Sequence, residues 1–261
     1  MSKFFIRFTF LIFFYSILST CTNAQSIETS DFYTQIKNYD LAKLLTADSI
    51  IYEDFEGVKE KIERAEILGF IGDKYQRFQI RFISIIQNTI NPYEYLVYGK
   101  TKVKRNICSF QGKIIIKQSK TYLKGDIPEY KQGYSICDVI LFEDNKQSSS
   151  GLIKGKLKVE FIIDQKDVLR YDALNFPADG FSNNQFVGTW TSYKDKIMKR
   201  CNWGDYRIPE SGDLDTGSGE FSVNEKYLKN GWENYEFAHS YGPETMESKK
   251  AKLEESKKWW K

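Results

Sequence analysis

A single histidine, His239, stands in a chain of 261 residues, and that scarcity removes more chemistry than any motif supplies. A Ser-His-Asp or Cys-His system would have to use it, and no Gly-x-Ser-x-Gly elbow accompanies it. The four cysteines, Cys21, Cys108, Cys137 and Cys201, lie far apart in sequence, so a tetrahedral zinc site lacks donors. No Walker or dinucleotide glycine pattern is present. These absences predict a protein without cofactor, metal ligand or catalytic residue.

An excess of one charge is missing too. The chain carries 38 basic and 35 acidic side chains. Lys3 and Arg7 fall in a predicted export signal, which leaves 36 against 35. So even a balance offers no global field to draw in nucleic acid, which is excluded as a partner. The longest apolar stretch, Phe8 to Leu18, is too short to cross a bilayer, so no transmembrane span is expected in the mature chain.

That stretch follows a basic n-region and precedes small polar residues up to Ala24, the layout of a signal peptide over 1–24. Thr22-Asn23-Ala24 supplies a cleavage site, which predicts a mature end at Gln25 in a periplasmic or secreted protein. Leu18-Ser19-Thr20-Cys21 offers the alternative of a lipidated envelope protein, anchored to a membrane only if Cys21 is retained. Three cysteines remain after cleavage. Cys108 and Cys137 face each other if 107–118 and 130–142 form a hairpin centred near Tyr122 and Leu123. A cross-strand disulfide and a pair of buried thiols are the two readings.

From Gly69 to Tyr193 apolar and polar residues alternate between Gly, Asn and Pro breaks. Phe78, Ile80 and Phe82 alternate with Gln79 and Arg81; Tyr93, Tyr95 and Val97 repeat the period, and Gly99 invites a bulge. The pattern predicts an all-β domain over 67–243, an antiparallel meander of seven to eight strands closing into a barrel or near-barrel. Helical extensions flank it. Residues 25–66 are expected to hold a short helix over 30–45 and a second candidate at 58–67, the latter alternatively a lead-in to the sheet. A charged helix is expected over 244–261, docked through Met246, Leu253 and Trp260.

Gly188-Thr189-Trp190 resembles the Gly-x-Trp signature of lipocalins and avidin-type barrels. The resemblance implies a closed meander around a small, mostly apolar ligand, with a Trp plugging one end. Those barrels carry the motif on their first strand and here it comes late, so no ligand residues transfer. Asp215-Thr216-Gly217-Ser218 resembles an aspartic protease turn, a chemistry that needs two such turns to meet. One copy is present, behind Glu210-Ser211-Gly212-Asp213 in place of an apolar strand, and the string reads as a Gly-rich turn. Asp213, Asp215 and Glu220 alternatively read as calcium ligands.

The stretch Trp203-Gly204-Asp205-Tyr206-Arg207 combines stacking surface with directional hydrogen bonds. With Trp190 it is the expected ligand-binding set: Trp190, Trp203, Asp205, Tyr206 and Arg207, gathered at one barrel mouth. The expected function is non-enzymatic binding of a small apolar or amphipathic ligand. The alternatives are an interaction or structural protein of the cell envelope, with an envelope protein as partner, and, last, a carboxylate-dependent hydrolase.

Overall fold

The computed structural model describes residues 27–53, 57–240 and 242–261. The expected signal peptide, its expected cleavage site and Cys21 lie outside the described residues. The N-terminal segment departs from the expected single helix. It forms strand β1 (Thr29–Asp31), two short helices α1 (Tyr33–Ile36) and α2 (Ala42–Thr46), and strand β2 (Ser49–Glu53). Asp40 separates the helices, because its carboxylate accepts from the Ala42 amide at 2.9 Å and starts a new turn. The candidate helix at 58–67 is instead strand β3 (Lys59–Glu63). It pairs with β2, Ile62 opposite Ile50. A partner strand and a buried Ile50 outweigh the helical propensity of Lys and Glu.

The meander is present as predicted. Strands β4 (Leu68–Ile71), β5 (Gln76–Gln87), β6 (Glu94–Val103), β7 (Asn106–Tyr122), β8 (Lys131–Glu143) and β9 (Gly151–Ile163) follow one another. A short β10 (Leu169–Tyr171) folds back on β9, and β11 (Asn183–Ser192) and β12 (Met198–Asp205) complete the set. Pairing runs from β4 through β9 to β11 and β12, and β12 pairs again with β4, Cys201 opposite Ile71. This is a closed ring of eight antiparallel strands with no free edge inside the circuit. The irregularity invited by Gly99 falls on its partner: Phe82 faces Gly99 and Ser84 faces Tyr98, so Ile83 is the extra residue.

The disulfide expectation fails on register. Strand β7 runs on to Tyr122, and the turn spans residues 123–130, beyond the predicted centre. Cys137 therefore pairs with Ile116, while Cys108 lies opposite Thr101 of β6. Eight residues of strand separate Cys108 from the Cys137 rung, roughly 26 Å, far beyond disulfide reach. All three described cysteines are free and buried. Burial raises their thiols, Cys108 to about 11 and Cys137 to about 12, which keeps them protonated. An aromatic disulfide reagent is expected to label none of the three in the native protein and all three in denaturant. Fast labelling of any one under native conditions would contradict this packing.

The ring is filled through its middle. Phe186 and Trp203 stack with centroids 3.6 Å apart and planes 10° from parallel, and Phe78 lies beside them. The Phe186 ring lies over Gly188 and its cross-strand partner Gly155; a Cβ on Gly188 would fall 2.5 Å from that ring. The glycine of Gly-x-Trp thus makes room for a neighbouring Phe, and Trp190 is buried near the β11–β12 turn.

A second core lies outside the ring. Strand β4 is buried on both faces, which is why Leu68 to Ile71 read as continuously apolar. Ile71 joins the interior, while Leu68 and Phe70 pack under Tyr75, Leu214, Phe221 and Trp232 from the C-terminal wrap. Helix α3 (Glu233–His239) and helix α4 (Met246–Glu255) complete that layer. Thr245 and Ser248 cap α4 reciprocally. The docking face of α4 differs from expectation: Met246 and Leu253 are 85% and 68% exposed. Contact is made by Ala251, by a bidentate Arg77–Glu255 pair at 2.8 and 2.6 Å, and by Arg81 lying 4.6 Å over Trp260.

Candidate functional site

The five residues expected at one mouth occupy different places. Trp190 sits beside the β11–β12 turn, opposite Lys199, while Asp205 ends β12 six residues further on, roughly 20 Å away. Trp203 is 1% exposed inside the ring and Asp205 is fully buried, so neither faces a ligand. The reason for the separation is unequal distance from the hairpin turn: Trp190 adjoins it, whereas Asp205 pairs with Asn183 at the far end of both strands. Only Tyr206 and Arg207, just past the strand, reach a shared cleft.

Asp205 is a structural anchor. Its carboxylate accepts from the Arg64 guanidinium at 2.8–2.9 Å, from the Tyr171 hydroxyl at 3.0 Å and from the Asn184 amide at 2.7 Å. Arg64 and Asn184 also donate to the Leu44 carbonyl at 3.1 Å. One buried ion pair therefore ties α2 to the end of β12. Burial and the adjoining carboxylate hold the Tyr171 phenol well above its ordinary range.

Arg207 pairs with Asp215, not with Asp205. Its guanidinium donates to one Asp215 oxygen at 2.6 and 3.0 Å and to the Gly217 and Gly219 carbonyls at 2.8 Å. The other Asp215 oxygen accepts from the Gly217 and Ser222 amides. Asp213 is held by Lys226 and the Tyr227 hydroxyl. The calcium reading thus loses Asp213 and Asp215 to protein cations, and no group of three potential metal ligands occurs among the described residues. The protease-like Asp215 is an ion-paired carboxylate wrapped by its own turn.

The cleft reached by Tyr206 and Arg207 has a volume of about 500 Å³, inside the range usual for small-molecule sites. One wall is an edge-to-face trio: Phe176, Phe181 and Tyr206, with centroids 5.1–5.4 Å apart. The facing wall is Phe221, Tyr235 and His239, the imidazole stacked on Tyr235 at 4.2 Å. Arg77, locked by Glu255 of α4, lies over Tyr235 at 5.5 Å. Glu66 lines the same cleft, and burial pushes its carboxyl upward. Tyr206 adopts φ +63, a left-handed conformation uncommon for a bulky residue. Its hydroxyl is buried near the Ala65 amide without completing a hydrogen bond.

A larger cleft of about 1020 Å³ opens at the Trp190 end. Its floor is Glu143, 5% exposed, which accepts from the Trp190 indole at 2.8 Å, from the Gly151 amide at 2.7 Å and from the Thr101 hydroxyl. Burial raises the Glu143 carboxyl, and these three donors partly offset it.

Sequence reasoning missed Phe176, Phe181, Arg77 and Glu143. Phe176 and Phe181 were legible only as two aromatics in a Pro-Ala-Asp-Gly loop, and Glu143 as the last residue of a strand. Comparison with protein-family models, with curated proteins and with solved structures finds no match for this chain.

Proposed function

We propose that this is an exported, non-enzymatic binding protein that holds a small amphipathic ligand in the flank cleft beside Tyr206 and Arg207. The observation that supports this most is the aromatic trio of Phe176, Phe181 and Tyr206. It presents ring edges and faces to a cavity of ligand size. The filled ring interior moves the ligand from the barrel centre to this flank. Binding rather than turnover is favoured because the cations at the cleft, Arg77 and Arg207, are already paired with Glu255 and Asp215.

Titration with the uncharged dye N-phenyl-1-naphthylamine tests the reading. Saturable one-to-one binding is expected, weakened about tenfold in a Phe176→Ala/Phe181→Ala variant that keeps its circular dichroism. Absence of saturation, or equal affinity in the variant, would sink it.

The second reading is an envelope interaction protein, and the exposed Phe237, Met246 and Leu253 of α3 and α4 favour it. Removing residues 244–261 does not separate the two readings, because Glu255 and Ser256 line the cleft. A Met246→Glu/Leu253→Glu variant does: envelope association disappears under the second reading and dye binding persists under the first.

A further inference from the structure

The Trp190 mouth differs from the flank cleft in the sign of its exposed charge. Lys74, Lys104, Lys199 and Arg200 line it, with Asp73 as the exposed acid. Arg200 lies 3.5 Å from Asp73, whose side chain is 93% exposed, a solvent-screened pair worth little. Among the described residues Lys74, Lys104 and Lys199 make no ion pair. The adjoining turn adds Lys194 and Lys196 against Asp195. In a chain whose charges nearly cancel, this is a local concentration of cations around a concave opening. A concave cluster focuses a field far better than the same charges spread over a flat face.

Apolar surface stands beside the cations. Ile197 and Met198 are 52% and 65% exposed at the rim. Lys199 reaches over the Trp190 ring, its ammonium 5.7 Å from the centroid. Glu143 lies beneath the rim, 5% exposed, with its oxygens occupied by the three donors already described. The opening therefore sets ammonium groups that make no ion pair beside an apolar wall, in a volume suited to one small molecule.

We infer that the ring mouth is a second binding site, for a small anionic amphiphile. Its carboxylate or phosphate group is held by the Lys74, Lys104, Lys199 and Arg200 cations, and its apolar body lies along Trp190, Ile197 and Met198. The site is independent of the flank cleft, which lies at the other end of β12.

Calorimetric titration of the purified protein with dodecanoate, dodecyl phosphate, dodecanol and inorganic phosphate tests this. Both dodecyl anions are expected to bind one-to-one, at least about tenfold more tightly than dodecanol or inorganic phosphate. Higher salt weakens only the anions. Lys104→Gln/Lys199→Gln, at two exposed positions that make no ion pair, is expected to keep its circular dichroism and to lose about tenfold in dodecanoate affinity. The Phe181→Ala variant of the flank cleft retains full dodecanoate affinity, which keeps the two sites distinguishable. Equal binding of dodecanol, or no loss in the double lysine variant, overturns the proposal. Retention on phosphatidylglycerol vesicles without binding of free dodecyl anions also overturns it, in favour of a face that rests on a membrane.

Discussion

Asp205→Ala is expected to lower the unfolding free energy by about 3–5 kcal/mol, because it leaves the Arg64 guanidinium buried without a counter-charge. Arg64 and Asp205 have side chains 5% and 0% exposed, so water does not replace the lost partner. The same change frees the Tyr171 hydroxyl and one Asn184 donor, each an added cost. Much of the loss traces to the stranded charge. An Arg64→Met/Asp205→Ala double variant is therefore expected to be more stable than Asp205→Ala alone, although the Leu44 carbonyl loses one of its two donors. Urea unfolding of the four proteins in the cycle measures both statements. A single-variant cost below about 1 kcal/mol would mean that the network does not hold α2 to the ring.

The second large effect is at Glu143. Glu143→Leu leaves the Gly151 amide and the Trp190 indole without an acceptor in a buried site, at about 1–3 kcal/mol each. Glu143→Gln behaves differently. One Glu143 oxygen receives both N–H donors and the other receives only the Thr101 hydroxyl. A glutamine keeps its carbonyl at the first position and donates to a rotated Thr101 hydroxyl at the second. That is also the pattern of the protonated acid.

The pH dependence follows from the direction of the shift. The native carboxyl is raised above its ordinary value, so over the interval between the two values the folded state binds more proton than the unfolded state. Stability contributed by Glu143 is then largest at low pH. It falls as pH climbs from the ordinary glutamate value near ~4.3 up through the raised native value. Glu66 and Asp172 are raised for the same reason and bend the wild-type curve the same way. The difference between wild type and Glu143→Gln isolates the one group. Wild type is expected to lose stability relative to the variant as pH rises through that window. Parallel curves would show that Glu143 titrates normally in the native protein.

Legibility varied with how local each signal was. Two-residue periodicity survives any change of partner, so Phe78, Ile80 and Phe82 announced an inward face wherever their strand was placed. Gly99 marked its bulge for a similar reason, since a Cβ there would fall 2.5 Å from the Phe110 ring. Register was less accessible. An error of about four residues in the centre of the β7–β8 turn was enough to set Cys108 opposite Cys137, because nothing in either strand fixes which residues face each other. The helix forecast at 58–67 failed because its Glu and Lys residues suit both states, and only the neighbouring β2 selected one.

The same limit governed the site. Asp205 and Arg207, two apart in sequence, each pair elsewhere, with Arg64 across 141 residues and with Asp215 across eight. Trp190 and Tyr206 were grouped by similar composition, yet the strand between them holds them at opposite ends of the ring.

By itself the sequence determined the ring: alternation specifies strands, short breaks make them antiparallel, and unpaired edges drive closure. Which acid meets which base, which aromatics share a cleft and where cations gather around an opening were decided only when eight strands closed. Those contacts depend on strand register and on distant segments, and a pattern of period two is the same in every register that keeps its apolar face inward.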